Sequence, residues 1–320
     1  MMDGTRRSFD LEAIRADFPI LSREVHGKPL VYLDSAASAQ KPAQVLDALM
    51  SAYQDTYANV HRGLHFLSEA STDLYEAVRS KVAGFIGAAS GDEIVLTSGA
   101  TMSLNLIARC WAQPRLQPGD EILISIAEHH ANIVPWQMVA EATGARVRAF
   151  TLEDDGAFSM ARLKAEMSER TRIISVPHVS NVLGTVFPVA EIAELAHDAG
   201  ALLVVDGCQG VVHMPVDVTA LGADFYVFSA HKLYGPNGVG VLWGRAEILA
   251  DMPPFLGGGD MIDRVTIEKS TYAEPPVRFE AGTPAIAETI ALGAAVDYVQ
   301  SIGMEAVSYT HLTLPTIAGV

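Results

Sequence analysis

The chain has 320 residues, enough for one large domain or two, and its hydrophobic content of 49% supports a substantial core. A formal net charge of −16, offset by no lysine and arginine cluster, argues against a protein that binds the nucleic-acid backbone. Two cysteines are too few for a disulfide framework, and no apolar run approaches the roughly 20 residues needed to span a bilayer.

The N-terminus bears on localisation. Arg6 and Arg7 resemble the start of a twin-arginine export signal, but Asp10, Glu12 and Arg15 interrupt the apolar segment that should follow. We therefore expect a cytoplasmic protein that binds neither nucleic acid nor membrane.

Short apolar runs alternate with amphipathic stretches along the chain. The predicted strands are residues 94–97, 121–126, 146–151, 173–176, 201–205, 223–228 and 238–243. The predicted helices between them include residues 101–112, 133–142 and 189–199. This alternation predicts an α/β fold, with a mainly parallel sheet covered by helices on both faces and ligands at the carboxyl ends of its strands.

Two residues near those strand ends point to one cofactor. Lys232 follows the apolar run 225–228 in a loop with Gly235 and Pro236, and Asp206 follows the apolar run 202–205. A lysine that can form a Schiff base with an aldehyde, and a carboxylate that can pair with a pyridinium nitrogen, are the groups that pyridoxal phosphate (PLP) needs. The pair therefore predicts a PLP enzyme.

A third feature suits the phosphate of such a cofactor. Ser98-Gly-Ala-Thr101 lies between a predicted strand and a predicted helix. Backbone N–H groups at a helix start, together with the Thr101 hydroxyl, can hold an anion. The signal is weak alone, because glycine is common in strand-to-helix turns.

Several longer motifs carry a family resemblance. They are Leu33-Asp-Ser-Ala-Ala-Ser-Ala-Gln-Lys-Pro42, Val60-His-Arg-Gly63, Glu128-His-His-Ala-Asn132, His178-Val-Ser-Asn181 and Arg278-Phe-Glu-Ala-Gly-Thr-Pro284. With these motifs the chain resembles cysteine desulfurases of the sulfur-mobilisation (SUF) type, class V aminotransferases of PLP fold-type I, from about residue 16 to residue 307. The resemblance implies a large domain with a seven-stranded sheet.

The resemblance also implies the roles of individual residues. Lys232 would bind the cofactor aldehyde and shuttle the α-proton, Asp206 would pair with the pyridine nitrogen, and His129 would stack on the ring and act as acid or base. Gln209 would contact the phenolic oxygen, and Asn181 that oxygen or the substrate carboxylate. The remaining implied contacts are Ala100, Thr101, Ser229 and His231 for the cofactor, Thr283 for the phosphate of the partner subunit in a homodimer, and His61 and Arg62 near the substrate.

The implied reaction converts L-cysteine into L-alanine and an enzyme persulfide, whose sulfur passes to an acceptor protein for iron–sulfur cluster assembly. Selenocysteine lyase activity on L-selenocysteine is an alternative. A class V aminotransferase or epimerase is another, and a non-catalytic PLP-binding fragment is a third. A metal site at His129 and His130, or at His61 and His65, lacks the accompanying ligands of a known metal pattern, so we predict no metal.

The C-terminal end departs from the family pattern. We divide the chain into an N-terminal segment 1–30, a PLP-binding large domain 31–296, the start of a link 297–307 and an anomalous, non-native tail 308–320. The family motif with the nucleophilic cysteine is absent, and neither Cys110 nor Cys208 replaces it. We therefore expect a C-terminally truncated chain without its small domain, inactive in desulfurisation, with exposed apolar surface around residues 290–307.

Overall fold

The structure is a computed structural model, and it describes residues 10–304. Its centre is a sheet of seven strands: β3 (Ile94–Thr97), β4 (Glu121–Ser125), β5 (Arg146–Phe150), β6 (Thr171–Pro177), β7 (Leu202–Asp206), β8 (Phe225–Ser229) and β9 (Gly240–Gly244). From one edge of the sheet to the other, their order is β3-β9-β8-β7-β6-β4-β5. All seven predicted strands are present, with ends that differ by at most two residues.

The sheet is mainly parallel, as predicted. Strands β4 to β8 pair in parallel, and β9 alone runs antiparallel to its neighbours β3 and β8. Every residue of β4, β7, β8 and β9 is buried. Strands that are buried throughout need cover on both faces, so these apolar runs place the sheet in the middle of the core.

Helices surround the sheet. They are α1 (Leu11–Ala16), α2 (Ala43–Ser51), α3 (Phe66–Phe85), α4 (Ala100–Leu106), α5 (Val134–Thr143), α6 (Met160–Glu166), α7 (Val189–Asp198), α8 (Gly210–His213), α9 (Val218–Leu221), α10 (Ala246–Ala250) and α11 (Ile286–Ile302). A π-helical segment, Ile107–Ala112, extends α4 and completes the predicted helix 101–112. Two hairpins lie outside the sheet: β1 (Glu24–Val25) with β2 (Lys28–Pro29), and β10 (Ile262–Val265) with β11 (Ser270–Tyr272).

The expected exposure of residues 290–307 is wrong for the part that the structure describes. Helix α11 packs against α2 and α3, and Leu292, Ala295 and Val296 are fully buried. The apolar side chains of this helix meet helices from earlier in the chain. Helix α11 also runs without a break through the predicted domain boundary at 296 and 297, and that boundary stays a prediction. The tail 308–320 lies outside the described residues.

Within residues 10–304, no helix combines the length and the apolar character that crossing a membrane requires.

Candidate active site

Asp206 is the last residue of β7, rather than the first residue after it, and its side chain is buried. Its Oδ1 accepts a hydrogen bond of 2.9 Å from the Cys208 N–H group. The next residue must be glycine, because a Cβ atom on Gly207 would lie 2.0 Å from the ring of Tyr226 in β8. This close packing holds the carboxylate at the carboxyl end of the sheet, where α/β proteins bind their ligands.

Lys232 lies at the same end of the neighbouring strand. Strand β8 ends at Ser229, and one 3₁₀ turn, Ala230–Lys232, brings the half-buried lysine above the sheet. Asp206 pairs with Val227 in the sheet, so the turn begins three residues beyond the level of the carboxylate. The predicted strands 201–205 and 223–228 are thus neighbours in the sheet.

His129 follows β4, and the charges of Lys232 and Asp206 both affect its pKa. Its Nδ1 accepts a hydrogen bond from the Ala131 N–H group at 3.1 Å, which requires the proton of a neutral ring to lie on Nε2. Partial burial and the positive charge of Lys232 lower the pKa of His129, and the negative charge of Asp206 opposes them. His129 is therefore a neutral, solvent-accessible imidazole at neutral pH, close enough to both residues to respond to their charges.

Glu128 directly precedes His129 and is buried. The sequence did not suggest it as a functional residue. Its Oε2 accepts a hydrogen bond from Asn132 at 2.8 Å, whereas its buried Oε1 has no partner. Asn132 Oδ1 in turn accepts hydrogen bonds from Ser175 and Trp136. Burial, together with the nearby charge of Asp206, raises the pKa of Glu128 well above its usual range. The raised pKa favours the protonated form of the Glu128 carboxyl group.

The turn at residues 98–101 has the form expected of a phosphate site. Gly99 has a φ of +148° and precedes the first residue of α4. A Cβ atom on Gly240 of β9 would lie 2.3 Å from Gly99, so two glycines allow the backbones to touch. The N–H group of Ala100 donates to Ser229 Oγ at 2.8 Å, and Thr101 is exposed in the first turn. Ser229, Ala100 and Thr101 are thus neighbours, and their contact with a phosphate stays a prediction.

Gln209 and His231 contact the segment 34–41, which the sequence did not place at the site. Gln209 Nε2 donates to the Ala36 carbonyl at 2.8 Å, and its Oε1 lies 3.3 Å from His213 Nε2. His231 Nδ1 lies 3.2 Å from Ser38 Oγ. Burial and the charges of Lys232 and Lys41 lower the pKa of His231.

Four predicted site residues form no hydrogen bond with this cluster within the described residues. His61 has a φ of +70° and hydrogen-bonds to Glu76 at 2.8 Å, which raises its pKa. Arg62 pairs with Asp260 at 2.6 Å. Asn181 is exposed in a turn, and Thr283 is exposed beside a cavity that Ser98 also lines. Among residues 10–304, no hydrogen bond or ion pair joins these four to Lys232, Asp206 or His129.

Both cysteines of the sequence are buried free thiols. Burial raises the pKa of Cys110 to about 12. Burial and the negative charge of Asp206 raise the pKa of Cys208 as well. Since the thiolate is the reactive form, neither residue is poised as a nucleophile.

The groups around Asp206 fit PLP. A buried carboxylate, an amine, a neutral imidazole and a glycine-lined helix start lie at one end of the sheet, and these are the groups that a pyridine ring, an aldehyde and a phosphate require. In the part of the chain that the structure describes, no group of three or more His, Cys, Asp or Glu side chains could hold a metal ion.

Comparisons with known proteins agree with this assignment. Residues 31–318 match the family described as aminotransferase class-V. The chain is 54% identical to a cysteine desulfurase of Dickeya dadantii over 93% of its own length and 73% of the relative's. It superimposes on the cysteine desulfurase CsdA of Escherichia coli with a TM-score of 0.88, at 43% identity over 96% of this chain and 76% of that one. The apo cysteine desulfurase of Thermococcus onnurineus gives a TM-score of 0.90 at 37% identity, over 96% and 74% of the two chains.

Proposed function

Because the chain belongs to the cysteine desulfurases of the class V aminotransferase family, which use PLP, we propose that Lys232, Asp206 and His129 are its catalytic residues. The observation that carries this proposal is that Asp206, at the end of β7, pairs with Val227 of β8, so that the turn with Lys232 follows at the same end of the sheet. The substrate is L-cysteine, and the product of the desulfurase reaction is L-alanine.

When bound, the cofactor supplies an electron sink for the pair left on the substrate α-carbon after its proton is removed. Lys232 would hold the cofactor by its aldehyde and then carry the proton between Nζ and the α-carbon. Asp206 would keep a proton on the pyridine nitrogen, and its place in the buried end of β7 strengthens that interaction. His129 would lie against the ring, with its Nε2–H group free to donate.

The phosphate would lie at the turn 98–101. Thr101 and Ser229 offer hydroxyl groups there, and the start of α4 adds backbone N–H groups. Gln209 keeps one amide N–H for the phenolic oxygen after donating to Ala36. In a homodimer, Thr283, whose side chain is exposed, would reach the phosphate of the partner subunit. Asn181 would contact the phenolic oxygen or the substrate carboxylate, and His61 and Arg62 would lie near the substrate.

We further propose that the chain is a cysteine desulfurase of the SUF type, whose sulfur passes to an acceptor protein for iron–sulfur cluster assembly in the cytoplasm. The motifs at 33–42 and 278–284 support that type, whereas the similarity to CsdA favours a different group of cysteine desulfurases. Incubating the purified chain with candidate acceptors of each group and measuring sulfur transfer would distinguish them. Activity on L-selenocysteine would be measured in the same assay as selenide release.

The proposal is tested by borohydride reduction of the chain with PLP, followed by peptide mapping. The label should fall on Lys232. Lys41 is the informative competitor, because burial lowers its pKa to about 8 and makes its amine more reactive than an ordinary lysine. A label on Lys41 or elsewhere would refute the assignment of Lys232.

The buried cysteines favour a second candidate, a class V aminotransferase or epimerase that needs no nucleophilic thiol. Alanine and sulfide formed from L-cysteine indicate desulfurisation. Keto-acid or D-amino-acid products indicate the alternative.

A further inference from the structure

Lys41 has no role in the mechanism above, yet it connects two distant parts of the site. Its half-buried Nζ donates to the Ala39 carbonyl at 2.5 Å and to the His231 carbonyl at 3.1 Å. The second contact spans 190 residues of sequence. His231 is the residue before Lys232, so this carbonyl belongs to the peptide group that leads into the cofactor lysine.

The His231 carbonyl is held from two sides. The Ala39 N–H group also donates to it, at 3.1 Å. A carbonyl oxygen has two lone pairs, and two donors from one segment therefore fix the plane of the peptide that joins His231 to Lys232. A fixed peptide plane leaves the backbone of the lysine little freedom to rotate.

Further contacts tie the same segment to the site. His231 Nδ1 meets Ser38 Oγ, and Gln209, three residues after Asp206, donates to the Ala36 carbonyl. Tyr32 supports the segment from outside through a hydrogen bond of 2.6 Å to the Ser38 carbonyl. The segment 34–41 thus bridges the loops that follow β7 and β8.

We propose that Lys41 is a positioning residue, whose ammonium group ties segment 34–41 to the His231–Lys232 peptide and thereby sets the orientation of Lys232. Burial lowers the pKa of Lys41 to about 8, so the fold keeps this charge at a cost in desolvation. The contacts with two carbonyl groups offset that cost. The inference rests on the proposed function of Lys232, but the first measurement below needs neither cofactor nor substrate.

The test compares Lys41→Met, which removes the donors at nearly the same length, with Lys41→Arg, which keeps charge and donors. Lys28→Met, at an exposed lysine of β2, is the matched control. Hydrogen–deuterium exchange at pH 7 is followed in peptides that cover residues 34–42 and 229–236, and in β7 as a reference for global unfolding. Binding of PLP is then measured by absorbance.

For Lys41→Met we expect protection in the two peptides to fall about tenfold, with β7 unchanged, and the Kd for PLP to rise about tenfold. Lys41→Arg should stay within about threefold of the parent chain in both measurements. The control Lys28→Met should give the same values as the parent chain. Unchanged protection in Lys41→Met would overturn the proposal. Lost protection with an unchanged Kd would also overturn it, because the segment would then be tied without positioning Lys232. If Lys41→Met does not fold, Lys41→Ala, which also lacks a donor, replaces it under the same criteria.

Discussion

Ser229 Oγ accepts a hydrogen bond of 2.8 Å from the Ala100 N–H group, although 129 residues separate the two in sequence. The contact joins the end of β8 to the start of α4. It therefore connects the strand that carries Lys232 to the turn that would hold the phosphate. The site depends on this junction as well as on its individual side chains.

Replacing Ser229 should disturb both parts of the junction. Ser229→Ala leaves the Ala100 N–H group without its buried acceptor, and such a loss costs about 1–3 kcal/mol. We expect the Kd for PLP to rise about tenfold. Absorbance titration of the cofactor-free chain gives the value, and Ser22→Ala, at an exposed serine, is the control. An unchanged Kd would mean that the Ser229 hydroxyl does not contribute to cofactor binding.

Asp206→Asn should still bind the cofactor but remove the substrate α-proton much more slowly. The amide matches the carboxylate in shape but cannot keep a proton on the pyridine nitrogen, so the electron sink weakens. Exchange of the α-proton of L-cysteine into D₂O should slow by about two orders of magnitude or more, while borohydride still labels Lys232. The rate is measured by NMR. Undiminished exchange would make Asp206 a structural residue.

Glu128→Gln should alter the pH dependence of stability. Because the pKa of Glu128 is raised in the folded state, the native protein retains a proton that the unfolded chain loses above about pH 4.5. Stability of the parent chain therefore declines as pH rises from about 4.5 towards the folded pKa, by at most about 1.4 kcal/mol per pH unit from this group. Glutamine does not titrate and lacks this decline.

Urea denaturation at pH 5.5 and pH 7.5 measures the difference. The stability of Glu128→Gln relative to the parent should be higher at pH 7.5 than at pH 5.5, by about 1–3 kcal/mol. Glu247→Gln, in the exposed first turn of α10, is the control and should show no such change. A relative stability that does not depend on pH would show that Glu128 is ionised throughout.

The contrast between Asp206 and Glu128 shows what the sequence could and could not predict. Strand β7 is a continuous apolar run, so its end and the carboxylate there could be located from the pattern alone. Glu128 also follows an apolar strand, but its raised pKa depends on burial by other elements and on the charge of Asp206. Lys41 could not be placed at the site because its partner His231 lies 190 residues away. The packing of helix α11 against α2 and α3 could not be predicted for the same reason, because these helices are distant in sequence.

The last prediction concerns the sulfur atom. A thiolate must attack the substrate sulfur, but Cys110 and Cys208 are buried and their pKa values are raised, so both remain thiols at neutral pH. We expect the purified chain with PLP to exchange the α-proton of L-cysteine readily and to form alanine slowly. Cys208→Ser and Cys110→Ser should leave both rates within about twofold of the parent, since neither thiol is ionised.

Added dithiothreitol should raise alanine formation, because its thiolate can take the sulfur that no residue of the site accepts. Alanine is quantified by mass spectrometry, with Lys232→Ala as the inactive control. Loss of alanine formation in Cys208→Ser alone would instead identify Cys208 as the nucleophile, and would require the loop after β7 to open during turnover.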